Sequence, residues 1–289
     1  MDIDGKKVAL EIKEEIRQGI KANKLTPGLA FVLIGEDPPS QTYVRMKEKA
    51  CQEVGIFSKK IELPGDVSEK ELTTLLSSLN EDPKYHGILV QMPLPKHLDT
   101  LKILTAIDPT KDVDGFHPLN IGKMVAGDPT GFLPCTPFGI IKLLEAYKIK
   151  TEGKEALVLG RSLIVGRPIA HLLSQKAPFG NATVTLAHSH TKDLKALCKQ
   201  ADILVAAMGN PLSITADMVK PGAVVIDVGI TRKGTKIVGD VDYENVSKVA
   251  SYITPVPGGV GPMTIAMLLY NTYLSAKSHS EKLPFANKK

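Results

Sequence analysis

Ser40, Tyr43 and Lys47 stand at i, i+3 and i+7 within GEDPPSQTYVRMKEKACQEVG, residues 35–55. On a helix they share one face. A hydroxyl, a flat aromatic ring and an amine on one stripe form a surface that could do chemistry. The ring offers a stacking face, and a lysine whose pKa is lowered by burial serves as a general base. The same spacing fits a half-exposed helix whose lysine lays its stem on apolar neighbours and keeps its charge in water. From spacing alone both readings stay open.

A second group lies further along. A buried strand at 156–159 runs into GRSLIVGRP, so Gly160 and Gly166 bracket a turn that opens a helix. Strand, glycine turn, helix and strand form the dinucleotide-binding arrangement, with helix N–H groups facing a pyrophosphate. The turn departs from the usual GxGxxG, so its context carries the assignment. NAD-binding domains place an Asp or Glu at the end of the next strand for the ribose hydroxyls. Here that strand ends in Ala187-His188-Ser189-His190-Thr191, with no carboxylate before Asp193. Arg161 and Ser189, assisted by His188 or His190, could meet a 2′-phosphate instead, which favours NADP over NAD. The alternative is that these are surface polar residues. Tyr43-x-x-x-Lys47 also has the catalytic spacing of short-chain dehydrogenases. In those enzymes the pair follows the glycine turn, whereas here it precedes it, and the match is rejected.

The elements that must position these residues are regular. Helical patterns over 8–21, 40–54 and 68–80 alternate with apolar strand-like runs over 29–34, 58–63 and 87–91. Ser68 and Glu71 form a capping box. Gln91 leads into a rigid Met92-Pro93-Leu94-Pro95 turn. From Pro109 to Pro137 the periodicity fades into an irregular polar stretch, as in a binding loop. Thr136-Pro137 reads as N-cap and N1 of a helix to about Tyr147 that bridges two domains. Strands over 156–159, 183–187, 203–207 and 223–228 then alternate with helices to about Lys176 and over 194–200. Tyr252–Pro257 leads into PGGVGPMT and a last helix over 263–276 with Pro262 at N1, and the end after Lys277 is expected to be loose. Near-continuous apolar strands alternating with helices predict parallel α/β sheets.

At 289 residues the chain accommodates about two domains. Its formal charge of +5 is scattered, and no Lys/Arg block with interleaved aromatics marks a nucleic-acid surface. Cys51, Cys135 and Cys198 are odd in number and far apart, which favours neither a disulfide framework nor a zinc site, and no metal is expected. Met1–Lys13 is charged and amphipathic rather than a signal peptide, and the apolar segments are too short for a bilayer. The expected compartment is the cytoplasm.

Several segments, in order, carry a resemblance: GEDPPSQTYVRMKEKACQEVG, GILVQMPLP, DPTKDVDGFHPLNIG, PCTPFGI, GRSLIVGRP, VIDVGI and YITPVPGGVGPMT. Over nearly its whole length the chain resembles the bifunctional methylenetetrahydrofolate dehydrogenase/cyclohydrolases. The resemblance implies two α/β domains with a cleft between them, the second a Rossmann-type doubly wound parallel sheet. The first would span 1–138, with a returning C-terminal helix at 264–289, and bind folate. The second, 139–263, would bind NADP and pair two copies into a homodimer. By motif, Lys47 matches the cyclohydrolase lysine, Gln91 the glutamine beside it, Tyr43 the ring stacking on the pterin and Asp114 the carboxylate on the pterin edge. Ser40, Gly261 and Pro262 fall at substrate positions. Gly160, Arg161, Ser162, Gly166, Ser189 and Ile230 fall at cofactor positions. The implied activity is oxidation of 5,10-methylenetetrahydrofolate to the methenyl form, then hydrolysis to 10-formyltetrahydrofolate, within one-carbon metabolism. A dehydrogenase without cyclohydrolase activity and a non-catalytic NADP-binding protein are the alternatives. The intact Lys47 and Gln91 speak against the first, and the complete folate-side constellation against the second.

Overall fold

The computed structural model describes residues 1–234 and 236–281. The chain divides into two compact units: residues 11–133 with 265–289, and residues 1–10 with 134–264. The short leading segment thus joins the later unit, and the break near residue 134 precedes the expected one.

In the unit containing residues 11–133, β1 (Gly28–Ile34), β2 (Phe57–Leu63) and β3 (Gly87–Val90) form a parallel sheet in the order β2-β1-β3. Every residue of β1 is buried, as a central parallel strand requires, whereas edge strand β2 alternates exposed and half-buried residues. Three helices complete the early alternation: α1 (Gly5–Ala22), α2 (Pro38–Val54) and α3 (Glu69–Glu81). Leu72, Leu76 and Leu79 of α3 pack with Ala30, Val32, Ile88 and Val90 in one core. The Ser68–Glu71 capping box is present.

α2 begins earlier than the apolar periodicity predicts. Asp37 is its N-cap, accepting from the Ser40 N–H, and Pro38-Pro39 fill the first positions, where a missing N–H costs nothing. Two further helices follow, α4 (Thr100–Thr105) and α5 (Pro118–Ala126). The stretch from 109 to 137 is therefore not wholly irregular. His117 caps α5 through Nδ1, Pro118 follows, and Gly127 closes it at φ +73°. The polar and glycine content masked a helix whose end signals were in place.

The other unit carries α6 (Cys135–Ala146), β4 (Glu155–Leu159), α7 (Gly166–Ser174), β5 (Thr183–Ala187), α8 (Leu194–Gln200), β6 (Ile203–Ala206), β7 (Val224–Asp227), β8 (Thr231–Lys233), β9 (Lys236–Val238), α9 (Tyr243–Val246), β10 (Tyr252–Ile253) and the start of α10 (Val260–Glu281). Five of these strands form a parallel sheet ordered β10-β7-β6-β4-β5. Counted from β4, this is the 2-1-3-4-5 order of doubly wound sheets. Leu157, Leu159, Leu204, Ala206 and Val225 from its centre join Cys198, Ile214 and Val246 in a core.

Three local expectations need correction. α6 starts at Cys135, two residues before the expected Pro137. Thr136 is not its N-cap, because its hydroxyl bonds Thr264 at 2.8 Å instead, and the whole helix lies in this unit. Pro262 is the third residue of α10 rather than its first, where a proline still displaces no helical hydrogen bond. α10 continues beyond Ala276 to Glu281, so residues 277–281 are helical; the rest of the expected loose end lies outside the described residues. The β8–β9 hairpin is antiparallel and has no counterpart in the sequence reading.

Candidate active site

Each sheet has a switch point where the connections leave in opposite directions, and ligands bind at the carboxyl ends of the strands there. In the β2-β1-β3 sheet that point lies between β1 and β3. The Gln91 N–H donates to the Val32 carbonyl at 2.9 Å, placing Gln91 where β3 parts from β1. After β1 the chain turns through Gly35, at φ +75°, into α2.

Lys47 and Gln91, 44 residues apart, meet at this end. Lys47 Nζ donates to Gln91 Oε1 at 3.0 Å. Gln91 Nε2 donates to the Met92 carbonyl at 2.7 Å, which fixes the amide so that its oxygen faces the lysine. Lys47 is 8% exposed. This excludes the reading in which its head projects freely into water.

Tyr43, one turn earlier on α2, is 37% exposed and presents a ring, with burial pushing its phenol above the ordinary range. Ser40 is buried and its hydroxyl donates to Asp37 Oδ2 at 2.6 Å, which leaves its oxygen free to accept. The hydrogen bonds from Ser40 hold the exposed Asp37 carboxyl below its usual range.

Asp114 is half-buried in the loop beyond β3. Its neighbours explain how that loop is held. Val113 is fully buried against Gly87, where a Cβ would come within 2.8 Å of a Val113 methyl. Lys111 N–H bonds the Asp108 carbonyl, and Lys111 Nζ donates to the Leu79 and Asp82 carbonyls at 3.2 and 2.9 Å. Burial lowers its pKa.

Asp112, which the sequence reading did not single out, is 1% exposed. It accepts from Phe116 N–H, His117 N–H and Asn120 Nδ2. Burial, despite these bonds and aided by Asp114, raises it to about 6. In Asp-Val-Asp-Gly one carboxylate thus ties the loop together inside and the other stands toward its surface. Asn271 Nδ2 adds a bond to the Val113 carbonyl at 2.9 Å.

In the other sheet the switch point lies between β4 and β6. Gly160 follows β4 at φ +110°, and a Cβ there would lie 2.1 Å from the Ala207 carbonyl oxygen after β6. A Cβ on Gly166 would meet the Gly160 carbonyl at 1.9 Å. Both positions therefore require glycine. Ser162 Oγ accepts from the N–H groups of Val165 and Gly166, each at 3.2 Å, shaping the entry to α7. The Gly160 N–H bonds the Ala187 carbonyl at 2.9 Å, which sets the glycine turn beside the end of β5.

Arg161 and Ser189 are exposed on these two adjoining turns. The β5 turn is held by His188 N–H to Thr191 Oγ1 and His190 N–H to His188 Nδ1. Asp193, the first carboxylate after β5 in the sequence, caps α8 by accepting from Ala196 N–H. The crevice thus fits a dinucleotide: a glycine-only cradle, a helix start, and cationic and hydroxyl groups where NAD-specific sites hold an acid. Ile230 is 50% exposed, and its Cδ1 lies 3.9 Å from where a Gly261 Cβ would stand, so these two candidates meet. Pro262 is half-buried beside Gly261.

Among the described residues no group of three or more His, Cys, Asp or Glu is arranged to hold a metal, and no helix is long and apolar enough to cross a membrane.

Residues 3–114 match the family model of the tetrahydrofolate dehydrogenase/cyclohydrolase catalytic domain, and residues 134–280 match that of the NAD(P)-binding domain of the same enzymes. The chain is 56% identical over 283 residues to the bifunctional protein FolD of Protochlamydia amoebophila, covering 95% of this chain and 97% of that one. It is similar to the crystal structure of the bifunctional FolD dehydrogenase/cyclohydrolase from Campylobacter jejuni, with a TM-score of 0.93, 51% identity, and coverage of 96% and 99%. The Trypanosoma brucei FolD structure, complexed with NADP cofactor and inhibitor, aligns with a TM-score of 0.91 at 38% identity over 98% of both chains.

Proposed function

The chain belongs to the tetrahydrofolate dehydrogenase/cyclohydrolase family, and from that premise we infer how its own residues divide the work. It is a bifunctional enzyme of one-carbon metabolism. It oxidises 5,10-methylenetetrahydrofolate to 5,10-methenyltetrahydrofolate with NADP, then hydrolyses the product to 10-formyltetrahydrofolate.

When bound, NADP supplies the hydride acceptor, C4 of its nicotinamide. The folate nitrogens stabilise the cationic product, so the protein's contribution to this step is alignment. Gly160, Gly166 and Ser162 cradle the pyrophosphate. Arg161 and Ser189 bind the 2′-phosphate, Arg161 by charge-assisted hydrogen bonds. Ile230 flanks the cofactor, and Gly261 and Pro262 border the substrate.

Tyr43 stacks on the pterin, Asp114 accepts hydrogen bonds from its nitrogen-rich edge, and Ser40 lines the same side. In hydrolysis, Lys47 Nζ takes a proton from the water that attacks the methenyl carbon. It then protonates N5 as the carbon–N5 bond breaks, while the new hydroxyl releases its proton to solvent and becomes the formyl oxygen, so methenyl cation and water give the formyl product and one proton. Gln91 holds Nζ in place throughout.

The single observation carrying this assignment is the 3.0 Å Lys47–Gln91 bond, with the amide fixed by Met92. A time course on methylenetetrahydrofolate and NADP, following NADPH and 10-formyltetrahydrofolate together, tests it. NADPH without the formyl product would leave a dehydrogenase alone.

The cofactor unit also pairs two copies in this reading, which its exposed Leu163, Leu212 and Ile237 support. Light scattering giving a mass of one 31.1 kDa chain would count against it. Three buried free thiols support a reducing compartment, the cytoplasm. Fractionation that recovers the protein outside the cytoplasm would refute that placement.

A further inference from the structure

Two carboxylates lie buried at the carboxyl end of the larger sheet, and neither belongs to the residues assigned above. Asp227 ends β7 at 3% exposure, and Asp240 follows β9 at 0%. Asp227 Oδ1 accepts from the N–H groups of Gly229 and Asp240, both at 2.9 Å, and its Oδ2 from Val241 at 3.0 Å. Its own N–H donates to Thr254 Oγ1 at 2.7 Å, at the end of β10.

Asp240 reaches the other way. Its Oδ2 accepts from Met208 N–H at 2.7 Å and Gly209 N–H at 3.0 Å. Its Oδ1 is buried and has no hydrogen-bond partner among the described residues. The two groups are packed on glycines. A Cβ on Gly239 would lie 1.9 Å from Asp227 Oδ2, and one on Gly229 2.5 Å from Asp240 Oδ1. A connected path therefore runs from Thr254 through Asp227 and Asp240 to the backbone after β6.

That backbone is the second wall of the switch point. Ala207, just before Met208, is the residue whose carbonyl forces position 160 to be glycine. Met208 and Gly209 lie beyond the end of β6, on the side where a dinucleotide is bound in such sheets. A buried carboxylate with one unpaired oxygen is costly for stability and calls for a reason. Here its only hydrogen bonds among the described residues fix two successive backbone amides of that wall.

We propose that Asp240 is a positioning residue for bound NADP, holding the Met208–Gly209 backbone against the cofactor, and that Asp227 holds Asp240 in turn. The inference rests on the cofactor reading above.

The test uses the full-length enzyme. Hydrogen exchange of the peptide spanning residues 207–212 is followed with and without NADP, and calorimetry gives the affinities of NADP and of a non-reactive folate analogue. NADP is expected to slow exchange in that peptide in the wild type. Asp240→Ala is expected to speed exchange there and to weaken NADP at least tenfold, with the folate analogue within twofold of wild type. Asp240→Asn keeps an acceptor oxygen and is expected to bring NADP affinity back to within threefold.

Wild-type protein that binds NADP without protecting this peptide overturns the proposal even if Asp240→Ala fails to fold. Asp240→Ala binding NADP within twofold of wild type, or losing both ligands equally, also overturns it. Wild-type protein that binds no NADP sinks the cofactor reading and this inference with it.

Discussion

Gln91→Met is the sharpest perturbation of the hydrolytic half. Methionine nearly matches glutamine in length and flexibility, so it removes the two polar contacts and little else. The Lys47 Nζ–Gln91 Oε1 bond at 3.0 Å disappears, and so does the Gln91 Nε2–Met92 carbonyl bond at 2.7 Å. The second is a neutral bond at a half-buried site, worth about 1 kcal/mol of stability. The first involves an amine that carries the transferred proton, and hydrogen bonds to charged groups contribute about 1.5–3 kcal/mol. If that contribution is needed when the proton moves, it converts to a loss of roughly ten- to 150-fold in the hydrolytic rate. Lys47 is mostly buried, so bulk water cannot freely take the place of the amide.

The assay follows disappearance of methenyltetrahydrofolate in the absence of NADP, and separately NADPH formation from the methylene substrate. Hydrolysis should fall by the stated range, whereas NADPH formation, which depends on alignment, should fall far less. Gln91→Glu gives the complementary result. It keeps an acceptor oxygen but sets a carboxylate beside Nζ, which favours the charged amine and hinders proton uptake from water. Hydrolysis should fall there too. Lys47→Met should abolish it in a protein that still binds NADP. A folded Gln91→Met enzyme hydrolysing within threefold of wild type, or a Gln91→Glu enzyme faster than wild type, would refute the role given to this pair.

Arg161→Ala should weaken NADP on the order of tenfold or more while leaving NAD nearly unchanged, because the lost charge-assisted contact serves only the 2′-phosphate; equal loss of both cofactors in a titration would contradict the assignment. Asp114→Asn should sharply weaken a folate analogue and leave NADP affinity alone, since an amide turns one acceptor into a donor against the pterin edge; calorimetry showing the reverse pattern places Asp114 on the wrong ligand. Asp112 has a folded pKa raised to about 6, so between the ordinary carboxylate range and that value the folded state binds the extra proton and this group's contribution to stability declines as pH rises. Asp112→Asn lacks that term, so its stability relative to wild type should improve by up to about 3 kcal/mol from pH 4 to pH 7 in denaturant titrations; a difference independent of pH would show that Asp112 ionises normally.

The elements that sequence made legible are those whose signal is local. Ser68 and Glu71 lie three residues apart and make the capping box they predict. The apolar run at 28–34 is a buried central strand because parallel strands covered on both sides need no polar alternation. Lys47 with Tyr43 was visible as a helical stripe, and Gly160 with Gly166 as a strand-to-helix turn. What spacing could not show was the partner that decides each role. Lys47 alone reads equally well as a solvated lysine, and only a glutamine 44 residues away distinguishes the two. The misplaced start of α6 has the same origin. Thr136-Pro137 has the local chemistry of a cap, but Thr264, distant in sequence, takes the hydroxyl.

The buried aspartates show most clearly why part of each site stayed hidden. Asp-Val-Asp-Gly at 112–115 and Gly-Asp-Val-Asp at 239–242 look alike as strings, and in both the first aspartate is interior. Asp112 collects two backbone N–H groups of its own loop and the Asn120 amide from the start of α5, whereas Asp240 takes two N–H groups from a loop some thirty residues earlier. A composition rule that keeps acids on the surface would misplace both, because it counts the cost of burial and omits the donors that offset it. Apart from the Asn120 side chain the donors are backbone amides, which every residue except proline has, so they leave no mark in the sequence. The trace that remains is indirect: glycine at 229 and 239, where any side chain would strike a carboxylate. Glycine beside an aspartate in a segment that leaves a parallel strand is therefore the pattern by which a buried carboxylate clamp of this kind can be sought.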